Sequence, residues 1–232
     1  MKIKCLLIRH GKTKGNLEKR YIGCKTDEPL LEDYKEMMGL IKERIEAGYN
    51  KPKLVYVSPM KRCIQTADFL FEGIEQKIIL DFRETDFGEF ENKNYVELAG
   101  NPEYQSWIDS NGTKPFPGGE SREYCIERTV RAFFETVKEI EAGKVNYAKD
   151  NLDKTDFDID KFNSAVAFAR EDETYAFVIH GGSIMAIMSS LTGRDYYDFQ
   201  TGCCDGYYLE CTVENGKIHN ISYDSLLGGD YS

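Results

Sequence analysis

The sequence holds three histidines, and two of them sit in matching places. His10 follows the apolar run Ile3-Lys4-Cys5-Leu6-Leu7-Ile8 and Arg9; His180 follows Tyr175-Ala176-Phe177-Val178-Ile179. Each run reads as a short buried strand that stops at a turn. Open α/β sheets bind ligands outside the carboxyl ends of their parallel strands. Two strands thus deliver two imidazoles to the edge where a site forms. Gly11 and Gly181 come next, and glycine permits both a sharp turn and close approach of a ligand. His219 has no such setting and reads as an ordinary surface residue.

Ser58-Pro59-Met60-Lys61-Arg62 follows a third apolar run, Leu54-Val55-Tyr56-Val57. Serine caps helices and proline favours their first position, so a helix is expected to begin at Ser58. Helix N-termini attract anions, and Arg62 falls on the first turn, where its planar fork suits a phosphate. A dense acidic and aromatic stretch lies beyond residues 77–80, which read as a further buried strand. It carries Asp81, Glu84, Asp86, Glu89 and Glu91. Any of these five, set beside apolar rings, could keep a raised pKa and act as a general acid.

Two arginines, two histidines and one acid suit phosphoryl transfer without a metal or other cofactor. Imidazole is a competent nucleophile toward phosphorus. Arg9 and Arg62 would neutralise the equatorial oxygens, and a carboxylic acid would protonate the leaving alkoxide. The alternative is a metal site built from His10, His180 and carboxylates. The neighbouring arginines oppose it, because they repel a cation.

The elements that must hold these residues alternate. Helical periodicity runs through 30–46, 122–142 and 183–192, the last ending at Gly193 as a C-cap. Buried strands alternating with amphipathic helices indicate an α/β fold with a parallel sheet. Residues 206–213 and 217–223, parted by Glu214-Asn215-Gly216, read as a hairpin on its edge. The 232 residues read as one domain. The polar segment 144–174, with a modest helical pattern around 160–170, reads as a surface insertion.

Forty acidic against thirty basic residues give a formal charge of −10, which opposes binding to nucleic acid or an anionic membrane. An anionic metabolite would need a locally basic pocket. No apolar run approaches the roughly 20 residues of a membrane span, and the N-terminal run is too short for a signal peptide. Seven scattered cysteines without a C-x-x-C pair read as free thiols in a reducing cytoplasm.

The ordered motifs resemble the histidine phosphatase superfamily, the phosphoglycerate mutase-like group. They run from Leu7-Ile8-Arg9-His10-Gly11-Lys12-Thr13 through Asn16, Arg20 to Leu30, and Ser58 to Ala67. Glu84 with Phe87-Gly88, Pro117-Gly118-Gly119-Glu120-Ser121 and His180-Gly181-Gly182 complete the set. The resemblance implies a three-layer α/β/α sandwich, with a mostly parallel central sheet and an antiparallel edge, and a phosphohistidine intermediate. It makes His10 the nucleophile, Glu84 the acid, and Arg9, Arg62 and His180 phosphate ligands. It also places Asn16 on the phosphate and Thr13 near it. Tyr21, Ile22 and Gly23 would line the substrate entrance.

The prompt run from Phe87-Gly88-Glu89 to Tyr95-Val96 resembles the phosphatase branch, as does Lys12-Thr13 after Arg-His-Gly. Mutases of the group usually carry a long insertion there. The stretch from Tyr21 to Leu30 is similar to alpha-ribazole phosphatases of cobalamin biosynthesis and to phosphatases of broad or sugar-phosphate specificity. The expected partner is a small phosphorylated metabolite. A phosphoglycerate mutase-type phosphotransferase is the runner-up. A non-catalytic binding protein on this fold would be expected to lack His10 or Glu84.

Overall fold

The computed structural model describes residues 1–152 and 173–227. Its strands are β1 (Lys2–Arg9), β2 (Val55–Val57), β3 (Gln76–Ile78), β4 (Glu173–Ile179), β5 (Gly206–Glu214) and β6 (Lys217–Ser225). Its α-helices are α1 (Lys14–Leu17), α2 (Lys35–Gly48), α3 (Lys61–Leu70), α4 (Pro102–Asp109), α5 (Arg122–Leu152) and α6 (Gly181–Thr192). The strands form one sheet in the order β3-β2-β4-β1-β5-β6. The first four are parallel, and β5 and β6 are antiparallel at one edge. No helix among the described residues is long and apolar enough to cross a membrane.

The two-residue period of a strand sorts the side chains into two cores. From β1 and β4, Cys5, Leu7, Tyr175, Phe177 and Ile179 enter one cluster with Phe133 and Val137 of α5 and Ile184 and Ile187 of α6. Leu6, Ile8, Ala176 and Val178 enter the other, with Met38, Ile41 and Ile45 of α2 and Cys63, Ala67 and Leu70 of α3. Burial on both faces explains why these strands read as continuous apolar runs. The result is the three-layer α/β/α arrangement. A smaller aromatic cluster around Phe90, Leu98 and Phe116 sits beneath the segment that joins β3 to α5.

Several local expectations shift. The run at 77–80 is not a buried strand: β3 ends at Ile78 on the sheet's outer edge, and Ile78 is 53% exposed. Composition alone does not distinguish an edge strand from a central one. The helix expected from residue 30 starts at Lys35, after a 3₁₀ turn over Glu32–Tyr34, because Leu30 is held in a bridge with Thr13. The helix expected from Ser58 starts at Lys61, since the Ser58 hydroxyl is engaged elsewhere. The helix at 122–142 continues to Leu152, into the segment read as an insertion. Residues 153–172, with the helical pattern around 160–170, lie outside the described residues. All seven cysteines are free thiols.

The C-terminal hairpin and the α6 stop follow their local chemistry. Asn215 and Gly216 both have positive φ, 52° and 71°, as a tight two-residue hairpin turn requires. Gly193 ends α6 in the left-handed region at φ 71°.

Gly206 is where β5 closes against β1, and a Cβ there would lie 1.7 Å from the Leu7 carbonyl oxygen. Gly206→Ala should therefore cost more than the roughly 1 kcal/mol of a typical substitution, read as a lower urea midpoint. An unchanged midpoint would mean that β5 can shift away from β1 at no cost.

Candidate active site

Three adjacent parallel strands end together. β2 leads into Ser58, β4 into His180 and β1 into His10. The pairing continues past the strands, since His10 N donates to the Ile179 carbonyl at 3.0 Å and Ser58 N to that of Val178 at 3.1 Å. The two imidazoles meet edge to face with centroids 5.2 Å apart.

His10 is buried, and its Nδ1 lies 2.7 Å from the Gly11 carbonyl oxygen. A carbonyl only accepts, so Nδ1 carries the proton and a neutral ring keeps its lone pair on Nε2. Burial, then the charges of Arg62 and Arg9, hold the His10 pKa well below the usual 6.5. The Gly11 N–H donates to the Thr66 hydroxyl at 2.8 Å, and that hydroxyl donates to the Arg62 carbonyl at 2.6 Å. These bonds lock the end of β1 to the first turn of α3.

Arg62 is fully buried yet bonds only to carbonyls, those of Thr26 at 3.1 Å, Gly23 at 3.3 Å and Ile22 at 3.4 Å. Arg9 donates from Nη1 to the Thr201 carbonyl at 2.7 Å, and its buried Nε has no partner. Among the described residues neither guanidinium has a carboxylate partner. Carbonyl dipoles orient a guanidinium without cancelling its charge, so the pair leaves net positive potential for an anion.

His180 is fully buried, with Nε2 2.7 Å from the Ser58 hydroxyl oxygen and Nδ1 3.4 Å from Glu84 Oε2. Burial, followed by Arg62, His10, Arg9 and Arg128, keeps its pKa well below the usual value. The Glu84 side chain is 14% exposed, and its other oxygen accepts the Thr85 N–H at 2.9 Å. Burial raises the Glu84 pKa, against the opposing pull of Arg62, the Thr85 N–H, Arg9 and Arg128. The other four acids are placed differently. Asp81 pairs with Arg83 and Arg131, Asp86 pairs with Lys25, Glu91 accepts the Gly23 N–H, and Glu89 is exposed.

Ligand atoms of His10, Glu84 and His180 lie within 4.8 Å of one another, a spacing a metal ion could bridge. Arg9 and Arg62 charge the same space positively, which favours a phosphoryl group over a cation.

Of the other expected residues, Ile22, Gly23 and Gly181 lie against the two arginines. Asn16 Oδ1 accepts both the backbone N–H of Thr13 at 3.1 Å and its hydroxyl at 3.0 Å, forming a capping box on α1. The Tyr21 ring packs on Phe87 and Trp107 in the aromatic cluster, its hydroxyl 3.3 Å from that of Tyr104. Ile22 and Gly23 meet the site through their carbonyls, which hold Arg62. Gly181 lies against Arg9, where a Cβ would sit 3.5 Å from Nε.

Sequence reasoning missed Ser58 as the partner of His180, Thr66 as the tie to Gly11, and Arg128 beneath Glu84. A signal for Arg128 exists: it falls on the apolar stripe of α5 between Cys125 and Ala132, where a charge needs a partner.

The histidine phosphatase superfamily (branch 1) profile matches residues 5–146, and the chain belongs to that superfamily. It is an enzyme of the phosphatase class. No curated protein matches it in sequence. Among solved structures, it is similar to the alpha-ribazole phosphatase from Shigella flexneri, at 17% identity and a TM-score of 0.64 over 94% of this chain and 93% of that one. It is also similar to a mutant phosphoserine phosphatase from Entamoeba histolytica in complex with phosphoserine, at 21% identity and a TM-score of 0.65 over 94% and 96%. The mycobacterial glucosyl-3-phosphoglycerate phosphatase is 21% identical, with a TM-score of 0.68 over 97% of both chains. At these identities the likeness is one of fold.

Ser58→Ala should leave His180 Nε2 without its hydroxyl partner and cost about 1–3 kcal/mol of stability. Urea unfolding of the variant checks this. An unchanged stability would mean that the bond is replaced by another donor, with Cys63 Sγ, 3.6 Å away, the nearest recorded contact.

Proposed function

We propose that the chain is a phosphomonoesterase that needs no metal or other cofactor and acts on a small phosphorylated metabolite in the cytoplasm through a phosphohistidine at His10. The observation that carries this reading is the bond from His10 Nδ1 to the Gly11 carbonyl. It fixes the tautomer that presents a lone pair at Nε2, in a pocket with two guanidiniums that lack counter-anions.

In the first step the Nε2 lone pair forms a bond to phosphorus as the ester P–O bond breaks. Arg9 and Arg62 take up charge on the equatorial oxygens. A neutral His180 that accepts the Ser58 proton at Nε2 offers Nδ1–H to the same oxygens. Glu84, protonated, gives its proton to the departing alkoxide. In the second step the Glu84 carboxylate takes a proton from water, whose oxygen attacks phosphorus as the P–N bond breaks. Inorganic phosphate leaves and His10 is neutral again. In this reading Asn16 and Thr13 serve the phosphate, and Tyr21, Ile22, Gly23 and Gly181 serve the substrate entrance. The similarity of the Tyr21 to Leu30 stretch makes alpha-ribazole 5'-phosphate the first substrate to offer, ahead of phosphoserine, 3-phosphoglycerate and sugar phosphates.

The two pKa shifts act together. The first step needs neutral His10 and protonated Glu84, groups that ordinarily titrate near 6.5 and 4.5 in the wrong order. Burial lowers the first and raises the second, so more molecules hold both forms at once. For an alkyl phosphate, kcat/KM should rise with pH through the lowered His10 pKa and fall through the raised Glu84 pKa.

A panel of phosphomonoesters assayed with chelator present tests the activity, and loss of turnover in chelator would sink the metal-free reading. His10→Ala should abolish turnover with the fold intact, as judged by circular dichroism and urea unfolding. Glu84→Gln should remove the alkaline limb and lower kcat/KM, which reports the first step alone, by roughly 10²–10⁴-fold on alkyl phosphates. Nitrophenyl phosphate, whose leaving group needs little protonation, should lose far less. An equal loss on both would move the acid role to another residue.

A further inference from the structure

Beneath Glu84 lies a charged cluster that the proposed chemistry does not use. Arg128, on α5, is fully buried. Its guanidinium reaches across to the segment that carries the acid. Nη1 donates to the carbonyls of Asp81 at 2.8 Å and Arg83 at 2.9 Å, and Nη2 donates to the carbonyl of Glu84 at 3.1 Å. One side chain thus gathers three carbonyls from four consecutive residues. The opposite side of the fork is held by Glu120, with Nε–Oε1 at 3.0 Å and Nη2–Oε2 at 2.8 Å. Glu120 in turn accepts from Arg83 Nη2 at 2.9 Å and from the Asp86 N–H at 3.1 Å. Its carboxylate therefore clasps the acid-bearing segment on both sides of Glu84.

A buried ion pair is weak evidence for stability, because desolvation offsets much of the attraction. Its geometric content is greater. The segment 79–88 has only short 3₁₀ turns, over Leu80–Phe82 and from Gly88, so no helix or strand ladder sets the direction of the Glu84 side chain. Arg128 and Glu120 do that instead. We infer that Arg128 and Glu120 are positioning residues for the general acid: they fix the backbone of Glu84 so that its carboxyl reaches the ester oxygen leaving His10-bound phosphorus. The inference rests on the reading of Glu84 as the acid.

The test compares a slow alkyl phosphate with nitrophenyl phosphate in three variants, each checked for folding by urea unfolding. Arg128→Lys keeps the charge and loses the fork. Glu120→Gln keeps the shape and loses half of the acceptor pairing. Glu84→Gln removes the acid itself. Arg128→Lys should lower kcat/KM on the alkyl phosphate by roughly 10–100-fold, a part of what a general acid supplies in the first step. Its kcat/KM on nitrophenyl phosphate should stay within about threefold. Glu120→Gln should show the same split in smaller degree, and it carries the test if Arg128→Lys does not fold.

In the Glu84→Gln background, Arg128→Lys should add almost nothing, because residues that act as a unit are not additive. An equal fall on both substrates in Arg128→Lys, or a full further loss in the Glu84→Gln background, would overturn the positioning role. Equal loss on both substrates in Glu84→Gln alone would instead overturn the acid assignment on which it rests.

Discussion

The parallel register between β1 and β4 is the constraint on which the rest depends. Arg9 stands beside Ile179 in that register, so His10 and His180, one residue further on each strand, emerge side by side. A slip of one residue would turn each strand's core set to the opposite face. Here Leu7 and Phe177 face one layer of helices and Ile8 and Val178 the other, so burial on both faces specifies the register. The catalytic geometry is therefore a by-product of core packing. The site stays fixed because moving it would expose two hydrophobic layers.

The electrostatics follow from how the arginines are held. The chain carries a formal charge of −10, yet Arg9 and Arg62 point into the pocket with carbonyl partners only. Their charge keeps both imidazoles neutral, together with burial, and draws on Glu84 in the opposite sense. Arg128 is the contrast. It is as buried as Arg62, and its charge is matched by Glu120. At the ends of β1, β2 and β4 the unmatched guanidiniums are those of Arg9 and Arg62, while among the described residues the buried carboxylate without a hydrogen-bond partner is that of Asp205.

Much of this arrangement was legible in the residues. Apolar runs of five or six residues ending in His10 and His180 located two strands and the edge they share. Asn215-Gly216 marked the hairpin, and the period of α5 marked its buried face. The acid was not legible from composition, because five carboxylates crowd 81–91 and their differences arise from partners distant in sequence. Asp81 meets Arg131, Asp86 meets Lys25, and Glu91 meets Gly23. Ser58 misled for a related reason. A serine before Pro-Met reads as a helix cap, and only tertiary structure brings the His180 ring to its hydroxyl. The edge position of β3 was hidden because Ile78 and Ile79 look as apolar as any core pair.

The sheet order also bears on how such a chain comes into being. β1 is made well before β4 and β5, the strands it pairs with. Those partners begin at Glu173 and Gly206, so a growing polypeptide holds an apolar strand with two open edges until both have been made. Long-range pairings of this kind slow folding and leave strand edges open to aggregation. β2 and β3 can pair early, and α2 and α3 can shelter one another, but the central strand must wait. A chain cut short before Thr201 would retain His10, Arg9 and Arg62 without the carbonyl that holds Arg9 or the β5 edge that closes on Leu7. Completion of the sheet and completion of the catalytic pocket are therefore one event, reached only once β4 and β5 have both been made.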